Sequence, residues 1–233
     1  MPYEAATASI LGTREEQQDY ALLEQGRSCI FAVVCDGMGG LEAGAAASKA
    51  AAETLRDLLA AKQPGEPVAS FFLRCVDILD ESVVRLGSGA GTTIVAAIII
   101  GLDLFWLSIG DSRLYLLRGD EIVQATRDHN YYLLQPDAES GKGEALVSYL
   151  GLGGIEMMDI NQTPFQLQPG DVVLLTTDGL TKSLPDHLIL RLLRSGSTKE
   201  SLQKLLEAAT ENSAAQDNTT CVVIQIKGLK NAV

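Results

Sequence analysis

The sequence predicts a mixed α+β fold, with sheets in the middle and helices outside. Three observations carry this. Apolar residues recur at helical spacing in one pair of segments, 41–62 and 68–86, and in a second pair, 184–193 and 199–210. Apolar, β-branched or alternating runs form two blocks of strands, one around residues 29–35 and 92–126, the other at 171–177 and 219–226. Each kind of element has an apolar side to bury, and layering helix pairs over central sheets buries it. No internal repeat, heptad array or low-complexity linker interrupts the pattern. The 233 residues fit one large domain or two small ones and can bury a substantial core without staples.

In chain order, residues 3–11 alternate weakly and read as an edge strand. Residues 12–19 are polar and carry Arg14 and Asp19; 20–23 are apolar, and 25–28 read as a hairpin turn into the run 29–35, which would set Asp19 and Asp36 on neighbouring strands. Segment 41–62 is rich in alanine with Leu55, Leu58 and Leu59 on one side, a helix able to pack closely on a sheet. Pro64, Gly65 and Pro67 end it. In 68–86, Phe71, Phe72, Cys75, Val76, Leu79 and Val83 recur as one helical face. Strands at 92–100, 104–109, 113–118 and 121–126 read as one antiparallel meander, with Arg118-Gly119-Asp120 as turn chemistry. Residues 128–154 form an irregular excursion with a short helix-like piece at 144–150, and such excursions are often functional. Strand character resumes at 157–160 and 163–167. A tight turn at 168–171 opens the buried strand 171–177, the second helix pair follows, and 219–226 is the last strand before a frayed tail.

Composition narrows the function. A formal charge of −12 argues against a nucleic-acid or anionic-membrane surface. Cys29, Cys35, Cys75 and Cys221 form no CxxC pair and read as small core residues in a reducing compartment. No basic region followed by an apolar core opens the chain, and the longest aliphatic run, 94–100, is too short to span a bilayer. A cytoplasmic enzyme or regulator is the expectation.

The chemistry lies where apolar runs end in carboxylates. Asp36 follows Val33-Val34-Cys35 and precedes Gly37, Met38, Gly39 and Gly40; Asp178 follows Leu174 to Thr177; Asp217 precedes Thr219 to Ile226; Asp19 and Asp111 occupy similar polar ends. Asp-Gly alone is ordinary turn chemistry. Recurrence changes the reading: if these strand ends converge, the anions need cations or raised pKa values. An oxygen-only set favours Mg²⁺ or Mn²⁺ over zinc or copper. Only His129 and His187 exist, so a His-rich zinc site and a Ser-His-Asp triad are poorly supported. His187 reads as a surface or packing residue and His129 as a packing or capping one. A cation pair at Asp36 could activate water and polarise a phosphoryl oxygen, with Arg14 as a forked phosphate clamp. The bland reading of Arg14 is a surface pair with Glu15 or Glu16.

Arg14-x-x-x-Gln18-Asp19, the run 33–40, Gly44 and Ser48, Gly91-Thr92-Thr93, the run 110–115, Asp128-His129, the run 174–180 and the run 216–220 occur in this order. Each piece is weak, but the ordered set closely resembles the metal-dependent protein phosphatases, the type 2C serine/threonine family (PPM), in its bacterial form. The resemblance runs from about residue 9 to residue 226. It implies a four-layer α-β-β-α sandwich of two antiparallel sheets flanked by helix pairs, in one catalytic domain over residues 1–228, with 128–154 as a shortened flap and 229–233 as a tail. It implies two Mg²⁺ or Mn²⁺ ions and a third, weaker one. By motif, Asp36 matches the bridging carboxylate and Gly37 the carbonyl ligand of the second metal. Asp178 and Asp217 match ligands of the first metal, Asp19 holds the second through water, and Asp111 helps bind the third. Arg14 matches the phosphate-binding arginine. The implied reaction is direct hydrolysis of phosphoserine or phosphothreonine in a protein by metal-activated water, without a phosphoenzyme. The expected partners are a phosphoprotein and a cognate kinase, with no nucleic acid and no membrane, and the protein is expected to be a monomer.

The sequence departs from the family in three places. Met38 stands where eukaryotic members often carry a histidine acid, as is usual in bacterial relatives. Ala45 stands where Glu is frequent. The flap, which helps select substrates, is short and lacks a His-Pro element. Two other readings stay open: a pseudophosphatase or binding module that docks on a kinase or regulator, and a phosphatase dedicated to one phosphoprotein partner.

Overall fold

The computed structural model describes residues 3–26, 29–39, 42–139, 141–194, 196–211 and 217–228. The turn residues Arg27 and Ser28, the motif residues Gly40 and Gln216, and the expected tail, 229–233, lie outside the described residues. In chain order, β1 (Tyr3–Ile10), β2 (Asp19–Gln25) and β3 (Cys29–Met38) precede α1 (Glu42–Ala60) and α2 (Val68–Val84). Then come β4 (Gly91–Thr92), β5 (Ile94–Ile100), β6 (Asp103–Ile109), β7 (Arg113–Arg118), β8 (Glu121–Ala125) and the one-turn α3 (Tyr131–Leu134). β9 (Asp159–Ile160), β10 (Phe165–Gln166), β11 (Val172–Thr176), α4 (Asp178–Ser183), α5 (Asp186–Leu193), α6 (Thr198–Glu211) and β12 (Thr219–Ile226) complete the order.

The strands form two antiparallel sheets. One runs β1-β12-β11-β7-β8; the other runs β10-β6-β5-β3-β2, with β4 added to β3 and β9 to β6. Strand alternation divides the apolar side chains into three layers. On β3, Phe31, Val33 and Cys35 pack with Phe71, Phe72, Leu79 and the small face of α1, Ala47, Ala51 and Ala52. Ile30, Ala32 and Val34 point the other way and meet Val173, Leu175, Val222 and Ile224 of the opposite sheet. Leu174, Cys221 and Val223 complete the third layer under α4, α5 and α6. The result is the α-β-β-α sandwich, and each fully buried Leu, Val, Ile or Phe contributes about 1.5–3 kcal/mol to it.

Four expectations need correction. The single meander is divided between sheets: β5 and β6 belong to one and β7 and β8 to the other, because the chain crosses at residues 110–112. Residues 144–150 are not helical. Their backbone groups bond outward instead, Ala145 O accepting from Tyr131 N–H at 2.9 Å, Val147 N–H donating to His129 O at 2.9 Å and Leu150 N–H to Thr92 O at 2.9 Å. The strands expected at 157–160 and 163–167 shrink to the two-residue β9 and β10. The strand expected at 92–100 is broken at Thr93, whose hydroxyl instead holds the backbone of Asp36.

Candidate metal centre

Pairing of β2 with β3 sets Asp19 opposite Asp36. Asp36 follows the parity of Ile30, Ala32 and Val34, so it lies on the inter-sheet side, where the apolar layer ends. Its backbone is held on both sides. Its N–H donates to Thr93 Oγ1 at 3.0 Å, and its carbonyl accepts from Thr92 Oγ1 at 2.8 Å and Thr93 N–H at 2.9 Å. At Gly37 a Cβ would stand 2.1 Å from Gly44 O and 2.6 Å from Gln18 O, so only glycine lets α1 and the β1–β2 connection close on this strand end.

The opposite sheet supplies the other wall. Thr177, just past β11, donates its hydroxyl to Asp19 Oδ2 at 2.9 Å and accepts Thr220 N–H at 3.0 Å, so one side chain ties both sheets together. Asp178 then opens α4, with Gly179 so close to Asn218 that a Cβ would lie 2.1 Å from its carbonyl oxygen. Asn218 laces the rim: its Oδ1 accepts Gln18 N–H at 2.8 Å and its Nδ2 donates to Leu11 O at 2.9 Å. Asp111 sits on the crossover between sheets. Gly110 before it has φ +107°, and a Cβ there would stand 2.6 Å from Thr93. Buried His129 fixes the same turn, its Nδ1 accepting Gly110 N–H at 3.1 Å and its own N–H donating to Gly110 O at 2.9 Å. His129 is therefore structural, and His187 is exposed.

These elements enclose an open cleft of about 920 Å³ lined by Arg14, Asp36, Gly37, Asp111, Asp178 and Asp217. Asp19 lies behind this lining and is 6% exposed. Burial pushes its carboxyl up to about 7, against the hydroxyl bonds of Thr220 and Thr177, with the charges of Asp178 and Asp217 adding to the rise. Asp111 is likewise pushed up to about 7 by burial and by Asp178, with Lys182 opposing. Asp36 is driven well above the carboxylate range by burial and then by Asp19, Asp178, Asp111 and Asp217. Arg14 does not pair with Glu15 or Glu16, as its bland reading had it; its guanidinium donates to Asp217 Oδ2 at 2.9 Å. Lys182, one helical turn past Asp178, pairs with that carboxylate. Burial works against the Lys182 ammonium, yet Asp178 beside it holds its pKa above the usual lysine value.

Among the described residues no three acidic, His or Cys side chains draw together into a ready-made cage. Asp178 and Asp217 lean on Lys182 and Arg14 instead. The donor chemistry still fits divalent ions. Asp19 Oδ1, Asp178 Oδ1 and Thr219 Oγ1 are buried without a hydrogen-bond partner, and orphaned buried oxygens are rare and costly. Hard carboxylate and carbonyl oxygens with no imidazole or thiolate among them suit Mg²⁺ or Mn²⁺. Sequence reasoning singled out the carboxylates because each borders an apolar run. It missed Lys182, Thr177, Thr93 and Asn218 as supports, although Lys182 stands four residues after Asp178, one helical turn, and that spacing was the available signal.

Residues 26–227 match the family model described as Stage II sporulation protein E (SpoIIE). The chain belongs to this family, within the metal-dependent PPM, or type 2C, protein phosphatases. The serine/threonine phosphatase stp of Listeria innocua is 29% identical over 211 residues, covering 83% of each chain. The catalytic domain of the phosphatase PstP, solved in complex with two manganese ions, is 26% identical with a TM-score of 0.81, over 97% of this chain and 99% of that one. The PPM Ser-Thr phosphatase MsPP of Mycobacterium smegmatis, in complex with cacodylate, is 28% identical with a TM-score of 0.80, over 96% and 98%. In this PPM chain Met38 lines the cleft beside Gly37 and Gly39. Among the described residues no helix is long and apolar enough to cross a membrane.

Proposed function

We propose that the chain is a metal-dependent serine/threonine phosphoprotein phosphatase whose catalytic domain spans residues 1–228. The observation that carries the reading is the meeting, in one cleft, of Asp36, Asp111, Asp178 and Asp217 from both sheets, with unpartnered buried oxygens on Asp178 and on Asp19 behind the lining. Asp36 and the Gly37 carbonyl would hold two Mg²⁺ or Mn²⁺ ions between them, Asp178 and Asp217 would complete the first, Asp19 would serve the second, and Asp111 a third, weaker one. Bound there, the ions supply an activated water and polarise the phosphoryl oxygens.

The chain's own residues do the rest. Arg14, exposed at the rim, exchanges its bond to Asp217 for a forked grip on the phosphate, where it stabilises charge on the non-bridging oxygens. Lys182 relieves the crowding around Asp178 and Asp111. Met38 carries no proton, and His129 is buried with its Nδ1 occupied, so the leaving alkoxide takes its proton from water. The substrate is a phosphorylated protein, delivered by a cognate kinase, and the enzyme works as a monomer.

Turnover of p-nitrophenyl phosphate and of a phosphothreonine peptide with Mn²⁺ tests this. Activity is expected to disappear with EDTA and in Asp36→Ala and Asp178→Ala. Intact Mn²⁺ binding with no turnover of either substrate would reassign the chain as a binding module.

A further inference from the structure

The cleft is lined by acidic side chains beyond the proposed metal ligands. Glu15 and Glu16 line it from the β1–β2 connection, and Glu144 lines it from the excursion. Glu15 and Glu144 are exposed and Glu16 is half-buried. Among the described residues none of the three joins an ion pair, and the two cations of the cleft, Arg14 and Lys182, are engaged by Asp217 and Asp178.

Glu144 is also held in place. Residues 143 and 145 on either side of it accept backbone N–H groups from Tyr132 at 3.0 Å and Tyr131 at 2.9 Å. A Cβ on Gly143 would stand 2.2 Å from the Tyr132 ring, so the segment carrying Glu144 lies tight against α3. Leu146 bridges to Asn130 and Leu150 to Thr92, which fasten this segment to the sheet. The rim acids therefore flank the cleft from two separate parts of the chain. Deeper in the same cleft lies Asp178, 8% exposed, with Oδ1 unpartnered.

We propose that this acidic rim selects phosphoproteins with lysine or arginine next to the phosphoserine or phosphothreonine. The inference rests on the phosphatase reading above. With the phosphoryl group seated at Arg14, the residues before and after it pass between Glu15 and Glu16 on one side and Glu144 on the other. Basic side chains there gain up to three charge pairings, and acidic ones meet repulsion.

The test compares kcat/KM for two phosphothreonine peptides that differ only in flanking residues, Arg/Lys in one and Asp/Glu in the other. It uses wild type, Glu144→Gln, the triple Glu15→Gln/Glu16→Gln/Glu144→Gln, and a control triple away from the cleft, Glu121→Gln/Glu139→Gln/Glu211→Gln. Wild type and the control triple are expected to favour the basic peptide by about tenfold, the combined size of three exposed charge pairings. The preference should reside mainly in KM, fall several-fold in the rim triple and partly in Glu144→Gln, and fade at 1 M salt, where the screening length shrinks to about 3 Å. Equal turnover of the two peptides by wild type, or a preference unchanged in the rim triple, would overturn the proposal while Mn²⁺-dependent turnover of p-nitrophenyl phosphate keeps the phosphatase reading standing. Loss of that turnover in wild type would bring down both.

Discussion

Asp19 shows what crowding does to one side chain. It is buried opposite Asp36, with one oxygen bonded by Thr177 and the other unpartnered. Its folded pKa of about 7 stands above the ordinary 3.8, so between those values the folded chain holds a proton that the unfolded chain has lost. The contribution of Asp19 to the stability of the metal-free protein therefore falls as pH rises through this window and is at its lowest above pH 7. Asp19→Asn is expected to raise the melting temperature of the metal-free protein at pH 8, leave it little changed near pH 4, and weaken stabilisation by Mn²⁺; thermal melts at the two pH values check this. Gly37 makes a steric counterpart. Gly37→Ala drives a methyl into the Gly44 carbonyl and should cost about 3 kcal/mol or more in urea denaturation, at the upper end of overpacking. Gly65→Ala meets nothing within 4 Å and bears only the cost of its positive φ, about 1–2 kcal/mol. The carboxylates were legible because a charge at the end of an apolar strand needs a reason. Thr177 and Asn218 were not, since their roles exist only once two distant segments meet, whereas Lys182 was readable from its one-turn spacing after Asp178.

At the scale of elements, α1, α2, α5, α6 and the long strands were legible, and α3, α4 and the excursion were not. The face of α2 reads directly from Phe71 to Val83, all of it buried. Segment 144–150 has helix-compatible residues, yet its hydrogen bonds go to residues 92, 129 and 131, which no local pattern announces. Buried Asp80 on α2 anchors the far end of the excursion, its Oδ1 accepting Gly151 N–H at 2.7 Å and Gly153 N–H at 3.5 Å. Asp80→Ala leaves the Gly151 donor stranded, at a cost of about 1–3 kcal/mol. Faster hydrogen exchange at residues 151–153, with α1 and β3 unchanged, is the expected signature.

At the scale of the molecule, the layered architecture was legible from helix pairs and strand blocks, but the allocation of strands to sheets was not. A meander and a crossover look alike in sequence, and only the packing of β7 on β11 rather than β6 separates them. That crossover brings Asp111 to the cleft. Because the proposed ligands come from both sheets, metal should stabilise the whole fold rather than one part. Mn²⁺ at a hundred times its pH 6 dissociation constant is expected to add about 2.7 kcal/mol to global unfolding at pH 6, removable by EDTA, and the same concentration is expected to add more at pH 8, where protons no longer compete for Asp19 and Asp111.

The apolar layer between the sheets also acts as a caliper. Ile30, Ala32, Val34, Leu175 and Val222 fix how far apart the two walls of carboxylates stand, although none of them offers an oxygen to a cation. A thinner filling lets the jaws draw in. Leu175→Ala should thus alter which ion radius the enzyme prefers, measurable as a changed Mn²⁺-to-Mg²⁺ affinity ratio, and ionic selectivity would be tuned from the greasy interior rather than at the ligands themselves.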